Sequence, residues 1–403
     1  MSVCLKSIST QRQVFINEIL KQLGIVEVET LIANQVVKPG DNCFGQILEI
    51  NVVGKKVQNT VDKISIIAKL APSVQTDEEY FVIRSIYKRE IYMYDVVLPE
   101  LVIFQKNHKI KNMFAPFAQC YATSGDDGQE IILLENMNNN GYRSVSRQIP
   151  VDYKHASLMI KSCAKLHAIS FAFRDQKPDL FEELSAYTKK STGVPEMFLP
   201  IVVNIATKML NNIEKTSEVY EALHSFIKDP HYVLELFQSE SAGEHAVITH
   251  GDYQNKNILF RYKDKSNPTI PSDLCILDWQ LSIFASPCLD ISSFVWACTD
   301  KKLRNEHYFE LIDLYYDTFC KFLCELGGDP EKLYPRTVFE NQLKKFSVTG
   351  LIAAIFNIAD FSNDTGDTLS IETFDEIANV SCFSRICENF EDFLKYGYSL
   401  RSM

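Results

Sequence analysis

Along residues 13–23 apolar side chains recur at helical spacing, at Val14, Ile16, Ile19, Leu20 and Leu23, and Gly24 follows where such a helix would stop. A short N-terminal helix is predicted there. From Ile32 the pattern turns to β-branched alternation through Val36 and Val37, breaks over 39–45, and resumes over 46–53. The break contains Gly40, Asn42 and Gly45, so the order is strand, glycine turn, strand. A polar turn over 54–63 leads into an apolar strand over 64–70, interrupted only by Lys69. Residues 78–98 return to helical spacing, with Glu90 on the face that carries Ile83, Ile86, Tyr87, Tyr94 and Val97. Strands over 118–123 and 130–135 complete a small antiparallel sheet with one helix, and the polar run Asn138-Asn139-Asn140-Gly141 marks a hinge after it.

Beyond residue 152 the pattern is mainly helical, over 156–173, 200–212, 219–227, 291–298, 307–326 and 336–358. Two short apolar runs interrupt it, 258–262 and 274–277, joined by polar residues as in a hairpin. The chain therefore reads as an α+β protein of two lobes, 1–137 with the sheet and 138–403 with the helices.

Polar residues at the ends of that hairpin carry the candidate chemistry. Asp252 is followed five residues later by Asn257, and Asp278 closes the returning strand. In kinase-type phosphoryl transfer one carboxylate orients the nucleophile's hydroxyl, while an amide and a second carboxylate hold Mg²⁺ against the phosphates. Singly, each residue reads as a turn cap, a loop amide or a strand-end acid; together, with Asp290 twelve residues past Asp278, they point to phosphotransfer. Upstream, Gly40 and Gly45 suit either a plain hairpin turn or backbone approach to phosphate. Lys69 reads as a snorkelling lysine or as a phosphate contact, and Glu90 as its partner or as a surface acid beside Lys88 and Arg89. Backbone groups near Glu135 to Met137 are placed to meet an adenine edge.

Composition narrows the class without altering this picture. A formal charge of -11 over 403 residues, with no Lys/Arg run longer than a dipeptide, argues against nucleic acid or an anionic membrane as partner. The eleven cysteines show no metal or disulfide spacing, which suits reduced thiols. With no secretory apolar core over 1–21 and no membrane-length apolar run, the expected location is cytoplasmic.

Taken together the residues resemble the ecdysteroid kinase-like family, related to aminoglycoside and choline kinases within the protein-kinase-like fold. The resemblance runs through Gly40-Asp41-Asn42, Ala68-Lys69, Arg89-Glu90 with Tyr94 and Leu98-Pro99, Leu166-His167-Ala168 with Ser170, the His250 to Asn257 stretch, and Asp278-Trp279-Gln280 to Asp290. It implies a bilobal kinase-like fold binding ATP and Mg²⁺, with Asp252 as catalytic base and Asn257 and Asp278 as metal ligands. It further implies that Lys69 contacts ATP phosphates with Glu90 as its partner, and that His250 and Asp290 brace the loop. Departures are Asn136 after the hinge glutamate, Trp279 for the common Phe, and Tyr253-Gln254 beside the base. The expected acceptor is a hydroxyl of a small lipophilic molecule, an ecdysteroid by the family's name, with detoxification of foreign alcohols or glycosides as the alternative. A protein kinase is disfavoured because 278–290 is too short for an activation loop and lacks an Ala-Pro-Glu anchor. A steroid-binding protein that keeps the fold without catalysis is the remaining rival.

Overall fold

The computed structural model describes residues 2–3, 8–36, 44–57, 60–74, 76–264, 269–362 and 380–400. Strand β1 (Ser2–Val3) precedes helix α1 (Thr10–Gln22), whose first turn is capped by Ser9 accepting from the Arg12 amide. Strands β2 (Ile25–Gln35), β3 (Gln46–Lys56) and β4 (Val61–Leu70) follow, longer than the alternation alone indicated because the polar Lys55, Asp62 and Lys63 still pair in register. With β5 (Cys120–Ser124) and β6 (Ile131–Glu135) they form one antiparallel sheet in the order β1-β2-β3-β4-β6-β5.

Period-two burial sets the two faces of this sheet. Leu48, Ile50 and Val52 of β3 and Ile66, Ala68 and Leu70 of β4 pack under Ile16, Ile19 and Leu20 of α1. Lys69 therefore projects with Ile67 to the opposite face. Across that face runs α2 (Asp77–Tyr92), capped by Thr76, which continues through a π turn (Met93–Val97) into α3 (Leu98–Asn107). The expected single helix is widened there because Pro99 has no N–H for the Asp95 carbonyl and crowds it. The Leu98 amide instead reaches back five residues to the Met93 carbonyl. Gly45 is bare for want of space, since a Cβ would overlap the Tyr87 hydroxyl and the Leu70 carbonyl.

After the 3₁₀ turn Met137–Asn140, β7 (Tyr142–Ser144) leads into the helical region. There α4 (Tyr153–Gln176), α5 (Pro178–Ala186), α6 (Val194–Leu210), α7 (Glu218–Lys228) and the short α8 (Tyr232–Glu235) and α9 (Ser239–Ala242) come before the expected hairpin. That hairpin is β9 (Ile258–Tyr262) with β10 (Pro271–Ile276); β7 adds to β9, while β8 (Val247–Ile248) pairs with β11 (Phe284–Ala285). Then come α10 (Cys288–Cys298), α11 (Lys301–Glu325), α12 (Pro330–Leu333), α13 (Arg336–Phe361) and α14 (Val380–Lys395). Every residue of α10 is buried, as an apolar helix enclosed on all sides must be. The whole is an α+β fold with an N-terminal antiparallel sheet and helix and a larger helical C-terminal region. Among the described residues no helix is long and apolar enough to cross a membrane.

Candidate active site

The loop between β8 and β9 is suspended from helices behind it. Ser170 of α4 accepts the Ile248 amide at 3.0 Å, anchoring β8 just ahead of the loop. Asp290 of α10 accepts the His250 and Gly251 amides at 2.7 and 2.8 Å, one on each carboxylate oxygen. His167 of α4 meets Asp290 at 3.1 Å through Nε2 and the Tyr315 hydroxyl at 2.7 Å through Nδ1. Burial alone would raise the Asp290 carboxyl, but its hydrogen bonds to His167 and the His250 amide outweigh it and hold the pKa below the usual range. Gly251 sits at φ +81, and a Cβ there would overlap the Leu281 carbonyl, so the turn admits glycine alone without rearrangement.

His250 stays within this frame. Its Nδ1 accepts the Asp252 amide at 3.2 Å, which leaves Nε2–H to donate to the Leu277 carbonyl at 2.9 Å. The ring thus ties the loop to the strand that delivers Asp278.

The Asp252 side chain, 17% exposed, faces a cavity of about 720 Å³. Gln254 donates to its Oδ1, Asn257 Nδ2 to its Oδ2 at 2.9 Å, and the Lys256 ammonium lies 3.8 Å away. Because the Asn257 amide nitrogen is committed to Asp252, Oδ1 of Asn257 remains as acceptor, and no described residue donates to it. On the returning strand Asp278 takes the left-handed conformation, φ +65 and ψ 66, which is rare for a non-glycine residue. That twist turns its carboxylate toward the same cavity.

Lys69 enters from the sheet and is 5% exposed, so it does not snorkel. Its ammonium meets Glu90 at 2.5 Å, Asp278 at 2.6 Å and Gln280 Oε1 at 3.1 Å. Burial would lower the lysine's pKa, but Asp278 and Glu90 together raise it. Burial pushes the Glu90 carboxyl up to about 7, against the pull of Lys69. Glu90 is therefore the partner of Lys69, and the surface pairing with Lys88 or Arg89 does not form.

Lys69, Glu90, Glu135, Met137, Asp252, Asn257 and Asp278 all line the one cavity, whereas His250 and Asp290 stand behind it. Gly40 and Asn42 lie outside the described residues. At the turn after β6, Glu135 commits its amide to the Gln119 carbonyl at 2.9 Å. The Asn136 side chain is engaged by Glu49 and Ser65. The residues not assigned from sequence are Gln280, which also donates to Asp278 at 3.3 Å, and Lys256; both lie within five residues of an assigned acid, and that proximity was the available signal.

The cavity's apolar lining comes from two parts of the chain. Ile47, Ile67, Ala118, Leu134, Leu259 and Leu277 come from the sheet-bearing part and the hairpin, and Phe198, Leu199, Val202 and Phe237 with Ile352 and Phe356 from the helical region. Such a site can hold an apolar ring against its walls, a phosphate-bearing group near Lys69 with a cation between it and Asp278, and a lipophilic molecule beside Asp252. No curated protein matches the chain. The sequence profile of the ecdysteroid kinase-like family matches residues 39–328, more than half of the chain, and the protein belongs to that family.

Proposed function

We propose that the protein transfers the γ-phosphoryl group of MgATP to a hydroxyl of a small lipophilic acceptor, an ecdysteroid first among the candidates. The observation that carries this reading is the cavity in which Asp252, Asn257, Asp278 and Lys69 converge among apolar walls. The donor set suits a hard divalent cation: Asn257 keeps an amide oxygen, and Asp278 brings a carboxylate to the same cavity. Bound MgATP supplies the transferable phosphoryl group and the counter-charge for its oxygens.

The chain's own residues do the rest. Lys69, held by Glu90, presents a fixed cation toward the nucleotide phosphates. Asp252, its carboxylate oriented by Gln254 and Asn257, accepts the acceptor hydroxyl's proton and aligns its oxygen for attack. The apolar walls displace water from around a lipophilic acceptor once it is bound.

The test is phosphate transfer from labelled ATP by the purified protein to a panel of steroids, plant glycosides and choline-like amines. A steroid alcohol is expected to be labelled, and Asp252→Asn to lower turnover by about two orders of magnitude or more. A normal rate in Asp252→Asn removes the base assignment. Labelling of glycosides alone turns the reading toward detoxification, and failure to bind MgATP in calorimetry toward a non-catalytic binding protein.

A further inference from the structure

Where the helical region lines the cavity, one wall departs from the apolar pattern. Helix α13 is buried almost throughout its second half, and its apolar Ile352 and Phe356 face the cavity. Asn357 and Asp360, one helical turn apart on the same helix, also line it. Asn357 is 7% exposed and Asp360 6%, so both are more than nine-tenths withdrawn from water. Among the described residues the Asn357 side chain has no hydrogen-bond partner. The Asp360 carboxylate has only an ion pair with Arg147 at 3.6 Å, too long for a hydrogen bond. An amide without a protein partner, beside a carboxylate held only by that long ion pair, offers hydrogen bonds to a polar group entering the cavity in an otherwise apolar wall.

We infer that Asn357 and Asp360 read a second polar group of the acceptor, remote from the hydroxyl that is phosphorylated, so that the preferred acceptor is a lipophilic polyol rather than a simple lipophilic alcohol. Asn357 can donate to and accept from a hydroxyl, and Asp360 can accept from one, which selects a hydroxyl over a carbonyl at the position nearest Asp360. The spacing between this reader and the base is set by rigid packing. At Gly350 a Cβ would overlap the backbone of Ser292, so α13 lies directly against α10, the helix whose Asp290 holds the Asp252 loop. Reader and base therefore belong to one frame, as a site that measures its ligand requires.

This inference rests on the proposed phosphotransfer, and its test separates the two. Wild-type protein, Asn357→Leu and Asp360→Asn are compared with labelled ATP and two steroids of one ring skeleton, a monoalcohol and a triol hydroxylated at both ends. The wild type should favour the triol in kcat/KM by about tenfold or more, the scale of a buried hydroxyl contact. In Asn357→Leu the triol should lose about tenfold more than the monoalcohol, mainly through KM, and Asp360→Asn should shift the ratio the same way. Asn357→Ser, which restores a hydroxyl, should recover part of the preference and covers the case in which the leucine variant does not fold. Equal losses on both steroids, or an unchanged ratio in the folded variants, overturn the inference while leaving phosphotransfer standing. If the wild type binds MgATP but labels neither steroid, the proposed function fails and the inference with it.

Discussion

At the scale of residues, the site depends on carboxylates whose neighbours were not visible along the chain. Asp290 is fully buried yet holds two backbone amides and His167, so its charge is compensated from three sides. Its folded pKa lies below its usual 3.8, so the ionised form stabilises the fold fully above about pH 3.8, and that stability is lost as pH falls through the lower folded value. Asp290→Asn is accordingly expected to cost about 3 kcal/mol at neutral pH, with the gap to wild type narrowing below pH 3.8. Denaturant titrations of both proteins across pH 3–7 measure this; a gap that stays constant through acid removes the electrostatic account. The same neighbours explain what the sequence left open. Lys69 and Glu90 each had a bland reading because burial decides between a snorkelling lysine and a held one, and burial depends on β3, α2 and Asp278 arriving from distant parts of the chain. Asp252, Asn257 and Asp278 were legible because their spacing on one hairpin is local.

At the scale of elements, strong periodicity was readable and tertiary adjustment was not. The predicted helix over 156–173 is Tyr153–Gln176, and the hairpin runs 258–262 and 274–277 are Ile258–Tyr262 and Pro271–Ile276. The π turn at Met93–Val97 escaped because apolar spacing does not register a missing proline donor. Helix α14 was not anticipated, although Cys382, Ile386, Phe390 and Phe393 carry an apolar stripe at helical spacing. Pattern alone gave α13 as a helix but could not tell which face meets the cavity, since that is fixed by its crossing with α10 at Gly350. Gly350→Ala should lower stability by about 1–3 kcal/mol by forcing the two helices apart. Because α13 lines the cavity where the acceptor is proposed to sit, KM for the acceptor should rise more than KM for ATP. Equal changes in the two constants would detach α13 from acceptor binding.

At the scale of the whole molecule, the sheet-bearing part and the helical part must stay in register for Lys69 and Glu90 to meet Asp278. Arg89, next to Glu90 on α2, supplies a latch. Arg89 is 1% exposed, and its guanidinium donates to the Ser282 carbonyl at 2.5 Å and to the Lys190 carbonyl at 2.6 Å, with the Tyr187 ring 5.5 Å away. Among the described residues no carboxylate pairs with it, and burial lowers its pKa to about 10, still well above neutral. The charge is therefore kept at a desolvation cost, offset by two charge-assisted hydrogen bonds. Both carbonyls belong to segments of the helical part, and Ser282 is four residues beyond Asp278. Arg89 thus fixes α2, and Glu90 with it, against the strand end that carries the second acid. Arg89→Met, which keeps length and apolar volume but not the fork of donors, should lower stability by about 1–3 kcal/mol through the two abandoned carbonyls. It should also raise KM for MgATP more than KM for the acceptor, since the Lys69–Glu90 pair loses its fixed position. Arg89→Lys should recover little, because a single ammonium cannot span both carbonyls as a planar guanidinium does. The added resistance to unfolding at saturating MgATP, about 2.7 kcal/mol at a hundredfold excess over Kd, offers an independent readout at equal ligand concentration. In Arg89→Met it should shrink, and an undiminished increment with an unchanged KM for ATP would show that the two parts hold their register without this residue.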